Sequence, residues 1–159
     1  MAAALEAGGM SQTADVYDDF LDHVRQYHYV GDAAGLLHWD QQVMMPAEGI
    51  GARSKQTSAI STMRHDMLVD DDLADWLDTL EGSDLDEAQE ATVREVRREH
   101  DRARQVPRDL VERISRTASE TLPVWEHAKD EDDFAMFADN LREIVQLRRE
   151  YAEEIDPDR

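Results

Sequence analysis

Metal-dependent chemistry would need histidine and acidic side chains at fixed spacings, so the histidines are the first residues to test. The chain has six of them, His23, His28, His38, His65, His100 and His127. Metalloproteases place two histidines four residues apart on one helix, so that both imidazoles reach one zinc ion and a neighbouring glutamate polarises its water. No two histidines here are three or four residues apart, and His23 and His28, five apart, lie on different sides of a helix. The sequence therefore predicts no zinc site of this type.

Other kinds of site can be tested in the same way. Di-iron bundles need a glutamate three residues before a histidine, and none of the six histidines has one. Asp84 and Asp86 resemble the start of a calcium loop, but Ala88 and Gln89 stand where a third ligand and a turn glycine belong. We interpret both aspartates as helix caps. The chain has no cysteine, which excludes disulfides and cysteine nucleophiles, and no strand-turn-helix nucleophile elbow is present.

The most unusual segment combines bulky apolar residues and polar amides at a helix end and turn. It contains Trp39, Asp40, Gln41, Gln42, Met45 and Pro46. We interpret Trp39 as a core anchor, because aromatic residues at helical spacing most often lie in the core. Asp40 would cap a helix or pair with an arginine such as Arg53, since a carboxylate is buried only with a partner. The alternative is that these side chains contact a ligand directly.

Methionines around this segment allow two interpretations. Met44, Met45, Met63 and Met67 could form an adaptable binding groove, but methionine is also an ordinary core-filling residue. We expect them to fill the core.

The elements that must position these residues are predicted to be helices throughout, because no segment shows sustained period-two alternation. A first helix is expected from near Thr13 to Val30, ended by Gly31. Asp32 would cap a short second helix that runs toward Val43. A third helix should carry an apolar stripe of Ala52, Gln56, Ala59, Ile60, Met63 and Met67.

The second half of the chain is predicted to contain four more helices. The run Asp70–Asp72 opens one that continues through Leu80, because acids suit a helix N-terminus. A highly charged helix follows over residues 84–105. The next begins at Pro107, with Leu110, Val111, Ile114, Ala118, Leu122 and Trp125 on one face, and Pro123 predicts a kink or break near Glu120. The last helix is expected over residues 130–155.

Charge excludes several classes of partner. The 37 acidic residues outnumber the 17 basic ones and give a net charge of −20. Such a charge repels phosphate backbones and anionic lipid, so we expect neither nucleic-acid nor membrane binding. Only Lys55 and Lys129 are lysines. This composition is typical of salt-loving organisms, although an acidic interaction domain would look similar, and we expect a halophilic protein whose folding improves with salt.

Location and domain organisation are predicted from the same features. The segment Met1–Met10 has no basic residue and no apolar run of signal-peptide length, and nothing later approaches a membrane span. We therefore expect a cytoplasmic protein. Residues 1–11 are predicted to be a disordered extension, and residues 12–159 a single helical domain.

The segment around Trp39 also resembles a known family. It is similar to the Leu-Leu-x-Trp-Asp-Gln-x-x-x-Met-Pro stretch of the carboxypeptidase Taq family, which is followed by an arginine and a histidine–acid pair. The matching residues are Leu36, Leu37, Trp39, Asp40, Gln41, Met45 and Pro46, then Arg53, Gln56, His65 and Asp66. Residues 105–107, Trp125 and residues 133–151 also resemble the family, so the likeness runs from about Tyr17 to Ile155. Pro123 and the N-terminal extension depart from the family pattern.

The resemblance implies a longer, all-helical parent protein. Family members are zinc-dependent metallocarboxypeptidases, typically homodimeric, that remove C-terminal residues from peptides. Their His-Glu-x-x-His motif and later glutamate lie beyond the part that this chain resembles, so no catalytic, cofactor-binding or metal residue carries over. Trp39, Asp40, Gln41, Met45, Pro46, Arg53 and His65 are then candidate structural or cleft-lining positions.

Two functions follow as alternatives. In the first, the chain is the N-terminal helical region of a zinc metallocarboxypeptidase, inactive alone, that walls or covers the substrate cleft. Its partners would be the remainder of the parent chain, a peptide substrate and, in a homodimer, a second copy. The gene would continue past Arg159 to the zinc motif. In the second, it is a stand-alone acidic helical interaction module without catalysis.

Overall fold

The computed structural model describes the backbone of residues 2–157 and the side chains of residues 13–157. Within that part of the chain the structure is all-α, with no β-strand, which confirms the predicted fold class. The elements are α1 (Ala2–Val43), a 3₁₀ turn (Ala47–Gly49), α2 (Ile50–Leu68), α3 (Asp71–Glu81), α4 (Glu87–Gln105), α5 (Arg108–Asp130) and α6 (Ala135–Ile155). None of the described helices is long and apolar enough to cross a membrane.

Helix α1 corrects the prediction of a helix end at Gly31 with a new helix capped by Asp32. The helix continues through both residues to Val43. Gly31 has an ordinary negative φ, so it does not adopt the left-handed conformation of a helix cap. A Cβ at Gly31 would lie 3.3 Å from the Arg64 guanidinium, so the missing side chain makes room for an arginine of α2. A glycine inside a helix costs about 1 kcal/mol relative to alanine. At Gly31 this cost comes together with the contact that the glycine permits with Arg64.

The N-termini of α3 and α4 follow the predicted acidic signals. The Asp70 carboxylate accepts a hydrogen bond from the Asp72 amide at 2.8 Å and caps α3. In α4, the Asp86 carboxylate accepts from the amides of Ala88 and Gln89, while the Gln89 side chain accepts from the Asp86 amide. This reciprocal pair is a capping box, in which glutamine takes the usual place of glutamate. Asp86 is thus a helix cap, as its sequence context predicts.

Helix α5 runs through Pro123 without ending, so a break near Glu120 is wrong, while the alternative of a kink there stays a prediction. The proposed apolar stripe of this helix is only partly correct. Leu110 is buried, but Ala118 and Trp125 are exposed, and the other buried positions are Thr117, Ser119, Thr121 and Ala128. A side chain from α1 compensates for the proline inside this helix.

The predictions for the two ends of the chain have different outcomes. Helix α6 begins at Ala135, later than predicted, where the Asp133 carboxylate accepts a hydrogen bond from the Ala135 amide at 2.9 Å. At the other end, the backbone from Ala2 belongs to α1, while the side chains of residues 1–12 lie outside the described part. The disordered extension over residues 1–11 stays a prediction.

Contacts divide the chain into two compact units, which are described separately. Unit 1 comprises the chain up to Tyr29 together with Asp66–Arg104, and unit 2 comprises Val30–His65 together with the chain from Gln105 onward. The prediction of one domain over residues 12–159 stays a prediction.

Unit 1 is held by an apolar core. Its buried residues are Phe20, Val24, Leu73, Leu77, Leu80 and Val93, from α1, α3 and α4. Phe20, Leu77 and Leu80 are fully buried, and Trp76 packs against the cluster. The i, i+4, i+7 spacing of the three leucines places them on one face of α3, as the sequence predicts.

Histidines of unit 1 have structural partners at the end of α2. The His23 ring donates to the Met67 carbonyl at 2.8 Å, and the His100 ring donates to the next carbonyl, that of Leu68, at 2.6 Å. The last carbonyls of a helix have no intrahelical donor, so these two rings satisfy groups that would otherwise need water. His100 is 1% exposed.

Unit 2 has a smaller apolar core between α5 and α6. Val106, Leu110 and Leu147 are buried there. At the surface of the same helix pair, the Arg113 guanidinium donates to both carboxylate oxygens of Glu150, at 2.9 and 3.0 Å. These hydrogen bonds raise the pKa of Arg113 above its ordinary value. The remaining buried residues of unit 2 are mostly hydroxyl-bearing and lie along α2 and α5.

Candidate functional site

The candidate residues lie in unit 2, where the last turns of α1 lead through the 3₁₀ turn into α2. At the end of α1 the amides of Met44 and Met45 both donate to the Asp40 carbonyl, at 2.9 and 2.8 Å. Pro46 follows with an extended backbone and precedes the 3₁₀ turn. Trp39, Asp40 and Gln41 therefore sit at the C-terminal end of a helix, and their side chains diverge.

Asp40 pairs with Arg53, as the sequence predicts. The Arg53 side chain is only 10% exposed, and one of its terminal nitrogens lies 2.5 Å from an Asp40 carboxylate oxygen. Its other terminal nitrogen donates to the Leu37 carbonyl, and its Nε donates to the Gln56 side chain at 3.1 Å. The guanidinium thus has three acceptors on two helices, which is how a buried cation is tolerated. Arg53 fixes the end of α1 against the start of α2.

Gln41 makes a reciprocal contact with α5 that the sequence did not reveal. Its side-chain nitrogen donates to the Ser119 carbonyl at 3.2 Å, and its oxygen accepts from the Ser119 hydroxyl at 3.1 Å. In an α-helix the Ser119 carbonyl would accept from the amide four residues later, which is residue 123. Proline has no amide hydrogen, so Pro123 leaves that carbonyl without its usual donor. Gln41 supplies the missing donor.

Trp39 corrects the expectation of a core anchor. Its side chain is 56% exposed, and it shares this exposure with Leu36 at 69% and Val43 at 58%. The three residues follow the i, i+3, i+7 spacing of one helix face. We call this set the α1 apolar face. The motif therefore separates into inward polar residues, Asp40 and Gln41, and an outward aromatic residue.

The methionines and the stripe on α2 also differ from their predictions. Met44 and Met63 are 67% and 53% exposed and do not fill the core, while Met45 and Met67 are partly buried. The buried residues of α2 are Arg53, Ser54, Ser58 and Thr62 instead of the predicted stripe of Ala52, Gln56, Ala59, Ile60, Met63 and Met67. Hydroxyls can be buried here because the helix backbone accepts their hydrogen bonds. The Thr62 hydroxyl, for example, donates to the Ser58 carbonyl at 2.9 Å.

The remaining candidates lie apart from the Asp40–Arg53 pair or have local roles. Met45 lies so close to Gly49 that a Cβ there would come within 2.9 Å of its side chain, which explains the glycine in the turn. Pro46 is exposed. His65 is in the last turn of α2, roughly 18 Å from Arg53 along the helix axis. The structure therefore brings Asp40, Gln41 and Arg53 to one end of α1 but does not join His65 to them.

Across the described part of the chain, no group of three or more histidine, aspartate or glutamate side chains is placed to hold a metal ion. The residues present therefore do not fit a zinc site, and we derive no catalytic step through zinc for this chain.

Comparison with known proteins identifies the family. The sequence model of the carboxypeptidase Taq (M32) metallopeptidases matches residues 19–159. The chain belongs to this family. Among its curated relatives, thermostable carboxypeptidase 1 of Thermus thermophilus is 33% identical over 141 residues, which are 86% of this chain and 28% of that protein. Thermostable carboxypeptidase 1 of Pyrococcus furiosus is 32% identical over 130 residues, or 81% of this chain and 26% of that protein.

Solved structures agree with the M32 assignment. The BsuCP crystal structure superposes with a TM-score of 0.85 over 89% of this chain and 29% of that chain, and at 21% identity it supports the fold alone. The Apo-Mg structure of the Pyrococcus furiosus carboxypeptidase superposes with a TM-score of 0.68 at 31% identity, over 87% of this chain and 28% of that chain. The chain thus spans under a third of the length of the M32 proteins that it matches.

Proposed function

We propose that this chain is the N-terminal helical region of a zinc-dependent metallocarboxypeptidase that removes C-terminal residues from peptides. We further propose that its helices wall or cover the substrate cleft and that it is inactive alone. The observation that carries the proposal is the family match over residues 19–159, together with relatives that are named carboxypeptidases. The zinc would be held by the longer protein, since the described residues do not form a metal site.

The α1 apolar face supports a role as a wall. Trp39, Leu36 and Val43 are more than half exposed, although large apolar side chains gain free energy when they leave water. A clustered apolar face on a charged protein is typical of a surface that contacts something. The ion pair between Asp40 and the buried Arg53 side chain fixes the orientation of this part of α1. We propose that this face lines the substrate cleft of the parent protein.

The alternative, a stand-alone interaction module, draws on the same exposed residues. Reading the gene downstream of the Arg159 codon separates the two proposals. The peptidase proposal expects a continuation that encodes His-Glu-x-x-His. A stop codon there, or a continuation without that motif, would leave the interaction module as the better explanation.

Kinetics of the full-length protein test whether the α1 apolar face reaches the cleft. Replacing Trp39 by alanine should raise KM for a peptide with a free C-terminus and leave kcat nearly unchanged, because a wall residue contributes binding that is equal in ground and transition states. Trp125→Ala is the matched control, since Trp125 is 44% exposed on a different helix. If Trp39→Ala lowers stability without altering KM, the residue packs against the parent chain instead of lining the cleft.

We also propose that the acidic surface is an adaptation to concentrated salt. The net charge is −20 in 159 residues, and screening shortens the reach of the repulsion from ~10 Å at 0.1 M to ~3 Å at 1 M salt. The melting temperature of the chain should therefore rise between those two conditions. A melting temperature that stays constant or falls would remove the halophile proposal without affecting the peptidase proposal. A homodimer and a cytoplasmic location remain predictions.

A further inference from the structure

A cavity in unit 1 is lined by none of the residues of the candidate site. Its volume is about 380 Å³, which falls within the ~300–1,000 Å³ typical of small-molecule sites. Its lining combines apolar, aromatic and acidic side chains. These residues come from α1, α3, α4 and the last turn of α2, all within unit 1.

One part of the lining is apolar, and contacts with neighbouring residues fix the positions of its side chains. Val24 and Leu73 belong to the buried core of unit 1, and Val96 packs against that core. The His23 ring is fixed by its hydrogen bond to the Met67 carbonyl and by an edge contact with Trp76, with ring centroids 5.5 Å apart. A ligand that enters here would meet side chains that are already positioned, which lowers the entropic cost of binding.

The other part of the lining is charged, and its charge has one sign. Glu95 and Glu99 lie one turn apart on α4 and both contribute to the cavity, whereas the lining contains no arginine or lysine. Glu95 also pairs with Arg98 at 2.7 Å and with Arg94 at 4.0 Å, but all three side chains are more than half exposed. Such an exposed pair is weak and can exchange for another cation. The aromatic rings of Tyr27 and His28, 5.4 Å apart, complete the lining from α1.

We propose that this cavity binds an organic ammonium ion, that is, an amine with an aromatic or branched aliphatic body. The body would lie against Val24, Leu73 and Val96, and the ammonium group would face the carboxylates of Glu95 and Glu99. Charge complementarity selects a cation over a neutral or anionic ligand of the same shape, and a neighbouring aromatic ring adds attraction for a cation. The proposal does not depend on the proposed peptidase function, because the candidate residues of that function lie in unit 2.

Three probes of similar shape and different charge test the proposal: 2-phenylethylammonium, 2-phenylethanol and 3-phenylpropanoate. Each is titrated into the 159-residue chain at pH 8 and one fixed salt concentration, and binding is followed through methyl and amide NMR signals. The ammonium probe should bind about ten-fold or more tightly than the carboxylate probe. The reason is that Glu95 and Glu99 each attract the cation weakly and repel the carboxylate weakly. The largest changes in NMR chemical shift should be at Val24, Leu73 and Val96. Equal affinities for all three probes, or shifts elsewhere, would overturn the proposal.

Two double variants with the same net charge separate a local effect from a general one. Glu95→Gln with Glu99→Gln should weaken ammonium binding about three- to ten-fold and leave 2-phenylethanol unaffected. Glu87→Gln with Glu90→Gln removes two charges from the same helix outside the cavity and should change ammonium binding less than two-fold. Similar losses in both variants would mean that the probe responds only to the overall acidity of the protein, and the site would be rejected.

A cavity-filling variant provides an independent check. Ala91→Leu adds volume within the lining and should abolish binding of both the ammonium probe and 2-phenylethanol. Circular dichroism establishes whether this variant is folded, and Thr92→Leu serves if it is not. Unchanged binding in a folded cavity-filling variant would place the probe outside the cavity and contradict the proposal.

Discussion

Helices pack in unit 1 through leucine, valine and phenylalanine, whereas in unit 2 the helices α2 and α5 bury serine, threonine and arginine. In unit 1 the three leucines of α3 are at most 1% exposed. In unit 2 Ser54, Thr62 and Thr121 are at most 5% exposed, while several large apolar side chains point outward. Both units are helical, but outside the small core between α5 and α6 the helices of unit 2 bury polar side chains.

This difference indicates which forces hold each unit. Apolar burial is non-directional and contributes roughly 25 cal/mol per Å² removed from water, so unit 1 should be stable through contact area. Hydrogen-bonded contacts contribute only about 1 kcal/mol net each, but they are costly to break when a buried partner is left behind. Unit 2 should therefore depend more on particular pairs, and its outward apolar residues should matter less in this chain alone.

The largest expected effect is on the unit 1 core. Leu77→Ala removes a fully buried side chain and should lower the free energy of unfolding by about 2–5 kcal/mol, since a cavity remains. Hydrogen exchange should show the loss mainly in unit 1 amides. Met63→Ala, at a 53% exposed position of unit 2, should change stability by about 0.5 kcal/mol or less. Equal losses for the two variants would contradict the contrast between the units.

A smaller effect is expected at the Arg53 network of unit 2. Arg53→Ala should cost about 1–3 kcal/mol in chemical denaturation, because the Leu37 carbonyl and Gln56 lose a donor; the partial exposure of Asp40 limits the loss. Arg116→Ala is the control, since its pair with Glu112 is exposed on both sides and should contribute about 0.5 kcal/mol or less. If Arg53→Ala lowers the free energy of unfolding no more than Arg116→Ala does, the Arg53 network contributes nothing to stability.

The smallest effect is a coupling between Gln41 and Pro123. Gln41→Ala should cost about 1–2 kcal/mol, because the buried Ser119 carbonyl loses its donor. In a Pro123→Ala background residue 123 can donate to that carbonyl, so the same substitution should cost less. The double-mutant cycle should give a coupling energy of about 0.5–1.5 kcal/mol. Additive effects would mean that Gln41 does not compensate for the proline.

Local signals in the sequence predicted much of this fold. The capped start of α3 and its leucine face were predictable because the aspartates and the apolar spacing lie within a few residues of each other. The Asp40–Arg53 pair was predictable because a carboxylate that leaves water, even in part, needs a partner. Gly31 was misread because its role depends on Arg64, which belongs to another helix.

Other features could not be read from hydropathy. The buried face of α2 carries hydroxyls that bond to their own helix, so polar residues occupy positions where an apolar stripe was expected. The outward direction of Trp39 is not contained in its spacing, since either side of a helix satisfies the same period. Ser119 was missed altogether, although the missing amide of Pro123 four residues later was a usable signal for a carbonyl in need of a donor.

The hydrogen bond from Gln41 to Ser119 joins residues 78 positions apart. The rest of α5 can form from neighbouring residues alone, but the turn around Pro123 becomes fully bonded only once α1 has arrived. Contacts between distant residues form after local ones, because a long loop must close first. We therefore expect Gln41 to have a low φ-value, so that its loss accelerates unfolding and leaves the folding rate nearly unchanged. Because of Pro123, the hydrogen bonding of α5 is therefore complete only after a late, long-range contact with α1 has formed.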